Sequence, residues 1–309
     1  MQVRILGSAA GGGLPQWNCN CENCHGLRAG TLPGKPRTQT QVAVSNDSHS
    51  WFLLNASPDL RLQIEALPSL HPREGTRHSP VGGVLLSGAD VDQIAGLLSL
   101  REFQPFRIYS TQSVACILRT HNSIFGVLNR ISNQVSWSEV QIEQSFPLLD
   151  SESNDSGICA SIFALGSHYP DYVVADRARS LRSEESQVGV ILQSSSRRKL
   201  AYLPTVPVID DQLLQRLESA DLLLFDGTFW SDDELLRVKG SGPTAREMGH
   251  VPVSGPEGSL QMLSRLRHPR KIYIHINNTS PMLDESGFEH RQVREAGWEI
   301  AEDGMGFEI

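Results

Sequence analysis

Short apolar runs separated by polar turns recur along the chain and predict that buried strands make up most of its regular structure. The predicted strands cover residues 3–6, 38–44, 51–54, 84–86, 107–110, 187–192, 199–204, 220–228, 271–275 and 299–301, with further antiparallel strands between 135 and 162. Apolar residues spaced three to four apart predict helices over 60–67, 94–102, 114–119, 124–128, 210–219, 257–266 and 285–296.

The predicted strands outnumber the helices, and the helices follow turns at strand ends. This order favours packed β-sheets with helices on the outside. No internal repeat, low-complexity segment or Pro/Ser-rich linker divides the sequence. We therefore expect one domain over residues 1–309.

One strand-to-helix turn carries two carboxylates. Ser87 and Gly88 form a turn after the strand at 84–86, and Asp90 and Asp92 precede the helix. Loops at the strand ends of an open sheet often bind ligands or carry catalytic groups. Helix capping is the alternative, because Ser and Asp are favoured at a helix N-terminus. Spacing alone favours capping.

Charge and composition exclude several classes of protein. The 309 residues carry a formal net charge of −8, which argues against nucleic acid as a partner. No apolar run reaches membrane-spanning length, and the first residues lack the apolar core of a signal peptide. We therefore expect a cytoplasmic protein without membrane insertion. In that compartment cysteines indicate a metal site rather than a disulfide framework.

Three of the five cysteines lie within six residues: Cys19, Cys21 and Cys24. This spacing on one loop is typical of a zinc site, although three incidental thiols are the simpler alternative. A fourth ligand has to come from elsewhere. Adjacent His25 is sterically awkward, whereas His275 or Asn278 could arrive from the C-terminal half. A fourth ligand would close the coordination shell, so we predict a structural zinc.

Four more polar residues stand at strand ends or in nearby loops: Asp92, Asp226, His250 and His275. Together they could hold one metal in a mixed histidine and carboxylate shell, which suits non-haem iron and also catalytic zinc. Each has a simpler role available. Asp226 could form a turn with Gly227, and His250 could bond a loop backbone. His168 is a weaker candidate as an extra ligand or substrate contact.

Several longer motifs together resemble one known family. They are residues 6–21 (LGSAAGGGLPQWNCNC), 55–61 (NASPDLR), 96–102 (GLLSLRE), 225–230 (FDGTFW), 248–250 (MGH) and 273–279 (YIHINNT). The chain resembles, over essentially its whole length, the coenzyme PQQ (pyrroloquinoline quinone) synthesis protein B family of the metallo-β-lactamase superfamily. That resemblance implies an α/β fold, a four-layer αβ/βα sandwich of two mixed β-sheets flanked by helices.

The resemblance also bears on the metals. The superfamily motif His-x-His-x-Asp-His falls on residues 88–93 (GADVDQ), where it retains only Asp92 and has Gln93 in place of the last histidine. A binuclear zinc hydrolase is therefore not expected, since the imidazoles that would activate a bridging water are absent. Related phosphodiesterases of the superfamily use a histidine as fourth ligand of the three-cysteine zinc, and its position corresponds to Asn278.

The function implied by the resemblance is an iron- and O2-dependent hydroxylation of the tyrosine ring in a Glu–Tyr-derived PQQ precursor. The predicted Fe2+ ligands are Asp92, Asp226, His250 and His275.

Three residues are predicted to contact carboxylates of the precursor: Ser87, Arg101 and Arg246. A non-catalytic carrier for transport of PQQ or its precursor to the periplasm is the first alternative, and residual metallo-hydrolase activity is the second. Expected partners are the precursor, other PQQ biosynthesis proteins and a second copy in a homodimer.

Overall fold

The computed structural model describes the whole chain, Met1 to Ile309. It contains two compact units. The first comprises Met1–Leu6, Gln41–Arg198 and Gly304–Ile309, and the second comprises Gly7–Thr40 and Lys199–Asp303. The single domain expected over residues 1–309 stays a prediction.

Fourteen strands are numbered in chain order: β1 (Gln2–Gly7), β2 (Gln41–Ser45), β3 (Trp51–Leu54), β4 (Val81–Leu85), β5 (Phe106–Ser110), β6 (Val135–Glu139), β7 (Ser145–Leu149), β8 (Asp155–Gly166), β9 (Gln187–Ser194), β10 (Lys199–Leu203), β11 (Leu222–Asp226), β12 (Arg270–Ile274), β13 (Trp298–Ile300) and β14 (Gly306–Glu308). The α-helices are α1 (Glu22–Ala29), α2 (Leu60–Ala66), α3 (Val91–Ile94), α4 (Gln112–Cys116), α5 (Ala175–Ala178), α6 (Asp211–Leu217), α7 (Glu234–Lys239), α8 (Ser259–Met262) and α9 (Phe288–Glu295). Short 3-10 helices cover Pro68–Leu70, Ala95–Arg101, Ser123–Asn129, Ser183–Glu185, Leu263–Arg265 and Pro281–Leu283, and a π-helical turn covers Ile117–His121.

The first unit contains a mixed sheet in the order β14-β1-β2-β3-β4-β5-β6. Strands β3 to β6 are parallel, whereas β1 pairs with β14 and β2 with β3 in the antiparallel sense. All residues of β3 and β4 are buried, which is why both strands are continuous apolar runs rather than alternating ones. The predicted strands at 3–6, 51–54 and 107–110 are confirmed, those at 38–44 and 84–86 overlap β2 and β4 only in part, and β14 was not predicted.

The segment between residues 135 and 162 differs in part from its predicted antiparallel arrangement. Strands β7, β8 and β9 are antiparallel, as expected. Strand β6, however, runs parallel to β5, with Val135 opposite Phe106. The helical turns between the two strands supply the long connection that a parallel pair requires.

The helix predicted over residues 94–102 is almost entirely a 3-10 helix rather than an α-helix. After the four residues of α3, the chain continues as the 3-10 helix Ala95–Arg101. The backbone of the neighbouring strand-end turn explains the change, since Ala56 N–H donates to the Gln93 carbonyl at 2.6 Å and Gly96 N–H donates to the Ala56 carbonyl at 2.8 Å. These long-range bonds use backbone groups that an α-helix would pair internally.

The second unit is built on the parallel strands β10 to β13. Every residue of β11 is buried, and Asp226 is its last residue. In the pairing of β11 with β12, Asp226 stands opposite Ile274, so both strands end at the same edge. His275 follows directly. The sheet register therefore places a carboxylate and an imidazole side by side.

Two candidate metal sites

Asp226, His250 and His275 form a compact cluster in the second unit. One potential ligand atom of each lies within 4.8 Å of those of the other two. The carboxylate is fully buried, and both histidines are 7% exposed. The structure thus brings together three of the four residues that the sequence predicts as ligands of one metal.

The Asp226 carboxylate is held by four hydrogen bonds. Its Oδ1 accepts from the backbone N–H and the hydroxyl of Thr228, at 3.0 and 2.6 Å. Its Oδ2 accepts from the Val206 N–H at 2.8 Å and lies 2.7 Å from Nδ1 of His250. These donors stabilise the ionised carboxylate in a site that excludes water.

Thr228 links the second imidazole to the same carboxylate. Its Oγ1 lies 2.8 Å from Nδ1 of His275 and donates to Asp226 Oδ1. Because the hydroxyl proton serves Asp226, the contact with His275 needs the proton on Nδ1 of the ring. The hydrogen bonds thus place a proton on Nδ1 of both rings, and His275 offers the lone pair of its Nε2 to a metal. The sequence reasoning did not identify Thr228.

Packing fixes the two imidazole rings as well. They stack with centroids 5.6 Å apart and planes at 22°, and Phe229 meets His250 edge-on. His275 itself has a φ of +60°, a left-handed conformation that costs a non-glycine residue on the order of 1–3 kcal/mol. Such backbone strain is typical of positions where function fixes the conformation.

Asp90 and Asp92, the carboxylates of the turn between β4 and α3, lie in the first unit. Asp90 occupies the N-cap position of α3, but its side chain makes no capping hydrogen bond and instead accepts from the Gln187 amide at 3.3 Å. Asp92 is half-buried in the first turn of the helix. Gln93 is buried, and its Oε1 has no hydrogen-bond partner.

The three predicted substrate contacts have different environments. The Ser87 hydroxyl is buried and exchanges hydrogen bonds with the Asn55 amide, at 2.9 and 3.1 Å. Arg101 is exposed and lies 3.3 Å from Glu102. Arg246 is also exposed and lies 3.4 Å from the Glu257 carboxylate. Both arginines have only solvent-exposed ion pairs, which are weak and easily exchanged for a ligand.

The second candidate site is the cysteine loop, whose three sulfurs also lie within 4.8 Å of one another. The side-chain amide of Asn278 covers them: its Nδ2 lies 3.2, 3.5 and 3.3 Å from Sγ of Cys19, Cys21 and Cys24. Of the fourth ligands considered from the sequence, Asn278 is therefore the one at this site, whereas His275 belongs to the other cluster. His25 is exposed on α1, and His168 is exposed in the first unit.

Burial and hydrogen bonds to sulfur change the pKa values of two of the thiols. Burial acts to raise the pKa of Cys19, but hydrogen bonds with Cys21, Cys24 and Asn278 outweigh it and leave the pKa below its ordinary value. Burial raises the pKa of Cys21 to about 11. The Cys19 thiol is therefore predisposed to ionise, whereas the Cys21 thiol needs a nearby cation to do so.

Asn23 joins the cysteine loop to the segment that carries Asn278. Its buried amide donates to the carbonyls of Asn278 and Ser280, at 3.0 and 2.8 Å. Arg28 holds the other side of the loop through the carbonyls of Gln16 and Cys19, both at 2.5 Å. The sequence reasoning missed both residues, although the position of Asn23 between two predicted ligands was a usable signal.

A buried acid near this segment was also not foreseen. Glu234, on α7, accepts hydrogen bonds from the Thr279 hydroxyl and from the Trp230 N–H at 2.6 Å. Burial raises the pKa of Glu234 to about 7, although these hydrogen bonds act to lower it. The acid therefore changes charge near neutral pH while it anchors the residue next to Asn278.

Comparison with known proteins identifies the class of this fold and site. Residues 50–276 match the family described as Beta-lactamase superfamily domain. The structure superposes on a crystal structure of Zn2+-bound PqqB from Methylobacterium extorquens with a TM-score of 0.91, at 39% identity and with 100% of both chains covered. The protein is a member of the metallo-β-lactamase superfamily, with the predicted sandwich of mixed sheets flanked by helices.

The relatives define the family within that superfamily. The coenzyme PQQ synthesis protein B of Methylobacterium sp. (strain 4-46) is 42% identical over 305 residues, which is 99% of each chain. That of Ruegeria pomeroyi is 43% identical over 305 residues, again 99% of each chain. The chain belongs to the coenzyme PQQ synthesis protein B family.

Two further observations concern membrane-spanning helices and the metal. None of the helices is long and apolar enough to cross a membrane. The Zn2+-bound relative and the cluster of Cys19, Cys21 and Cys24 together support zinc as a metal of this protein.

Proposed function

We propose that this protein acts in PQQ biosynthesis as a non-haem iron-dependent hydroxylase of the tyrosine ring in a Glu–Tyr-derived precursor. Membership of the PQQ synthesis protein B family supports the pathway. The cluster of Asp226, His250 and His275 supports the chemistry, because two histidines and one carboxylate are the donor set of non-haem Fe(II) oxygenases. That donor set is the observation that carries the proposal.

Fe2+ bound at this cluster would supply one-electron chemistry with O2 at neutral pH. The residues of the chain position the donors and exclude water. Asp226 orients His275 through Thr228 and contacts Nδ1 of His250, and a metal bound by all three side chains would take the place of this last hydrogen bond. Such orienting partners raise the basicity of a ligating imidazole and fix its tautomer. Phe229 shields one ring from solvent.

The roles proposed for the remaining residues rest on the sequence resemblance. Asp92 is the proposed fourth ligand, since it is the one residue of the superfamily motif that the chain retains. Arg101 and Arg246 are the proposed partners of precursor carboxylates, because a guanidinium binds a carboxylate through two parallel hydrogen bonds. Ser87 is proposed to contact the precursor as well.

Zinc is proposed to be structural, bound by Cys19, Cys21 and Cys24, with Asn278 beside the fourth position. A change of the amide rotamer would turn Asn278 Oδ1 rather than Nδ2 toward the sulfurs and would offer the zinc an oxygen ligand. The proposed location is cytoplasmic, and the proposed partners are other PQQ biosynthesis proteins and a second copy of the chain.

Anaerobic reconstitution tests the proposed function. The zinc-containing protein is loaded with one equivalent of Fe2+, mixed with the precursor and a reductant such as ascorbate, and exposed to air. Hydroxylation inserts one oxygen atom of O2 into the ring and releases the other as water, with two electrons from the reductant. We expect a product heavier than the precursor by one oxygen atom, and no such product from His275→Ala.

Three other outcomes contradict the proposal in different ways. An unchanged precursor together with tight binding of PQQ would instead indicate the carrier. Cleavage of an ester or phosphodiester that depends on the added metal would indicate a hydrolase. Equal activity of His275→Ala would show that the chemistry does not use this cluster.

A further inference from the structure

A groove opens beside the cysteine loop, between this loop and the end of α7. Its volume is about 390 Å3, within the range of roughly 300–1,000 Å3 that is typical of small-molecule sites. The residues that line it are Gln16, Asn18, Cys19, Asn20, Cys21, Val238 and Lys239. Two of the three clustered cysteines therefore face a space large enough for a ligand.

The three cysteines differ in solvent exposure. Cys24 is fully buried, whereas Cys19 and Cys21 are only half-buried and border the groove. A structural zinc is normally enclosed by four strong protein ligands. At this site a zinc would have three cysteine sulfurs as ligands, and its fourth position would lie next to the buried, neutral amide of Asn278.

Charge and polarity define what the groove can accept. Lys239 is the one charged side chain among its lining residues, and it is exposed. The amides of Gln16, Asn18 and Asn20 offer further hydrogen bonds, and Val238, 45% exposed, offers apolar contact. A short ligand matches these groups if it has a sulfur atom for the metal, an aliphatic stem beside Val238 and an anionic end for Lys239.

We propose that the groove binds a small-molecule thiol that carries a carboxylate, with its sulfur as fourth ligand of the zinc and its carboxylate paired with Lys239. The thiol proton leaves to solvent as the metal–sulfur bond forms, so the step is a ligand exchange without oxidation. The inference rests on the proposal that the three cysteines hold zinc. In this arrangement the zinc keeps its three cysteine ligands, and the thiol takes the fourth position from Asn278.

Cobalt substitution tests this inference, because Co2+ reports its coordination by visible absorption. The full chain with Co2+ at the cysteines is titrated with 3-mercaptopropionate, and the metal content is measured after gel filtration. We expect a saturable spectral change with one equivalent bound and cobalt fully retained. Propionate, which lacks the thiol, should cause no change, and 2-mercaptoethanol, which lacks the carboxylate, should bind more weakly.

Two variants separate the parts of the site. Lys239→Gln should weaken binding of 3-mercaptopropionate about two- to fivefold, the effect of one exposed ion pair, and leave binding of 2-mercaptoethanol unchanged. Arg237→Gln, on the same helix but outside the groove, is the matched control and should change neither. Asn278→His should retain cobalt and abolish the response, because a strong fourth ligand closes the site.

Four results would overturn the inference. They are a spectrum that does not respond to the thiol, a response accompanied by loss of cobalt, a response that Asn278→His leaves unchanged, and equal effects of Lys239→Gln and Arg237→Gln. Failure of the zinc proposal is recognised separately, since the protein would then hold neither zinc nor cobalt before any thiol is added.

Discussion

Asp226 Oδ2 lies 2.7 Å from Nδ1 of His250, and the same carboxylate reaches His275 through the Thr228 hydroxyl. One buried acid thus sets the tautomer of two stacked imidazoles. Both rings would otherwise exchange their proton between two nitrogens. This arrangement fixes two imidazoles beside one carboxylate in a buried cluster.

Removal of the Thr228 hydroxyl should weaken iron binding. Thr228→Val keeps the shape of the side chain but breaks the link from His275 to Asp226. Loss of such an orienting partner typically costs about 10- to 100-fold in metal affinity. Anaerobic competition with a coloured Fe2+ chelator measures the change. Thr228→Ser, which keeps the hydroxyl, should bind iron almost as the parent does, and equal weakening in both variants would refute this role.

Replacement of one clustered cysteine should release zinc. Cys21→Ser removes a soft ligand, and elemental analysis after dialysis should find less than one zinc per chain, compared with one in the parent protein. The control is Cys159→Ser, because Cys159 is an exposed thiol of β8 that does not belong to the cluster. Full retention of zinc by Cys21→Ser would place the zinc elsewhere in the protein.

Glu234 should make stability depend on pH in a definite direction. Its pKa is raised from 4.5 to about 7 by burial, so the folded state holds a proton between these pH values that the unfolded state releases. The contribution of Glu234 to the free energy of unfolding therefore falls as pH rises from about 4.5 to 7, by about 3 kcal/mol.

Glu234→Gln provides the matched comparison, since the amide imitates the protonated acid. Urea unfolding at several pH values should show that the difference in stability between variant and parent grows by about this amount from pH 4.5 to pH 7 in favour of the variant. A difference that does not change with pH would show that Glu234 has an ordinary pKa.

Arg246 should act on precursor binding rather than on the metal. Arg246→Gln removes a charged donor, and loss of one charge-assisted hydrogen bond of about 1.5–3 kcal/mol corresponds to a KM raised roughly 10- to 100-fold. Iron affinity should not change. Arg265→Gln is the control, since Arg265 is also exposed and also forms a surface ion pair, with Asp211. Steady-state hydroxylation kinetics would reject the role if both variants had the KM of the parent.

The strand ends of the second unit could be predicted from the sequence because one local pattern, an apolar run, was enough to predict each strand. A buried apolar run predicts β11 and another predicts β12; Asp226 is the last residue of β11, and His275 directly follows β12. The spacing of the cysteines was equally direct, since three ligands on one short loop need no knowledge of the fold.

Other features depend on contacts that no local pattern contains. Thr228 bridges two residues distant in sequence, and Asn23 bonds a segment more than 250 residues away. The 3-10 helix Ala95–Arg101 arises because the backbone at Ala56 bonds into it. A polar residue in a turn can bond to many different groups, so the sequence does not predict which group it contacts.

The origin of the oxygen atom tests the central claim most directly. The iron-loaded protein, the precursor and ascorbate are mixed under 18O2 in ordinary water, and the product is analysed by mass spectrometry. An iron-dependent hydroxylase predicts one 18O atom in the tyrosine ring, lost in His275→Ala. A product with oxygen from water only, or a precursor left unchanged by the iron-loaded protein, would contradict the account.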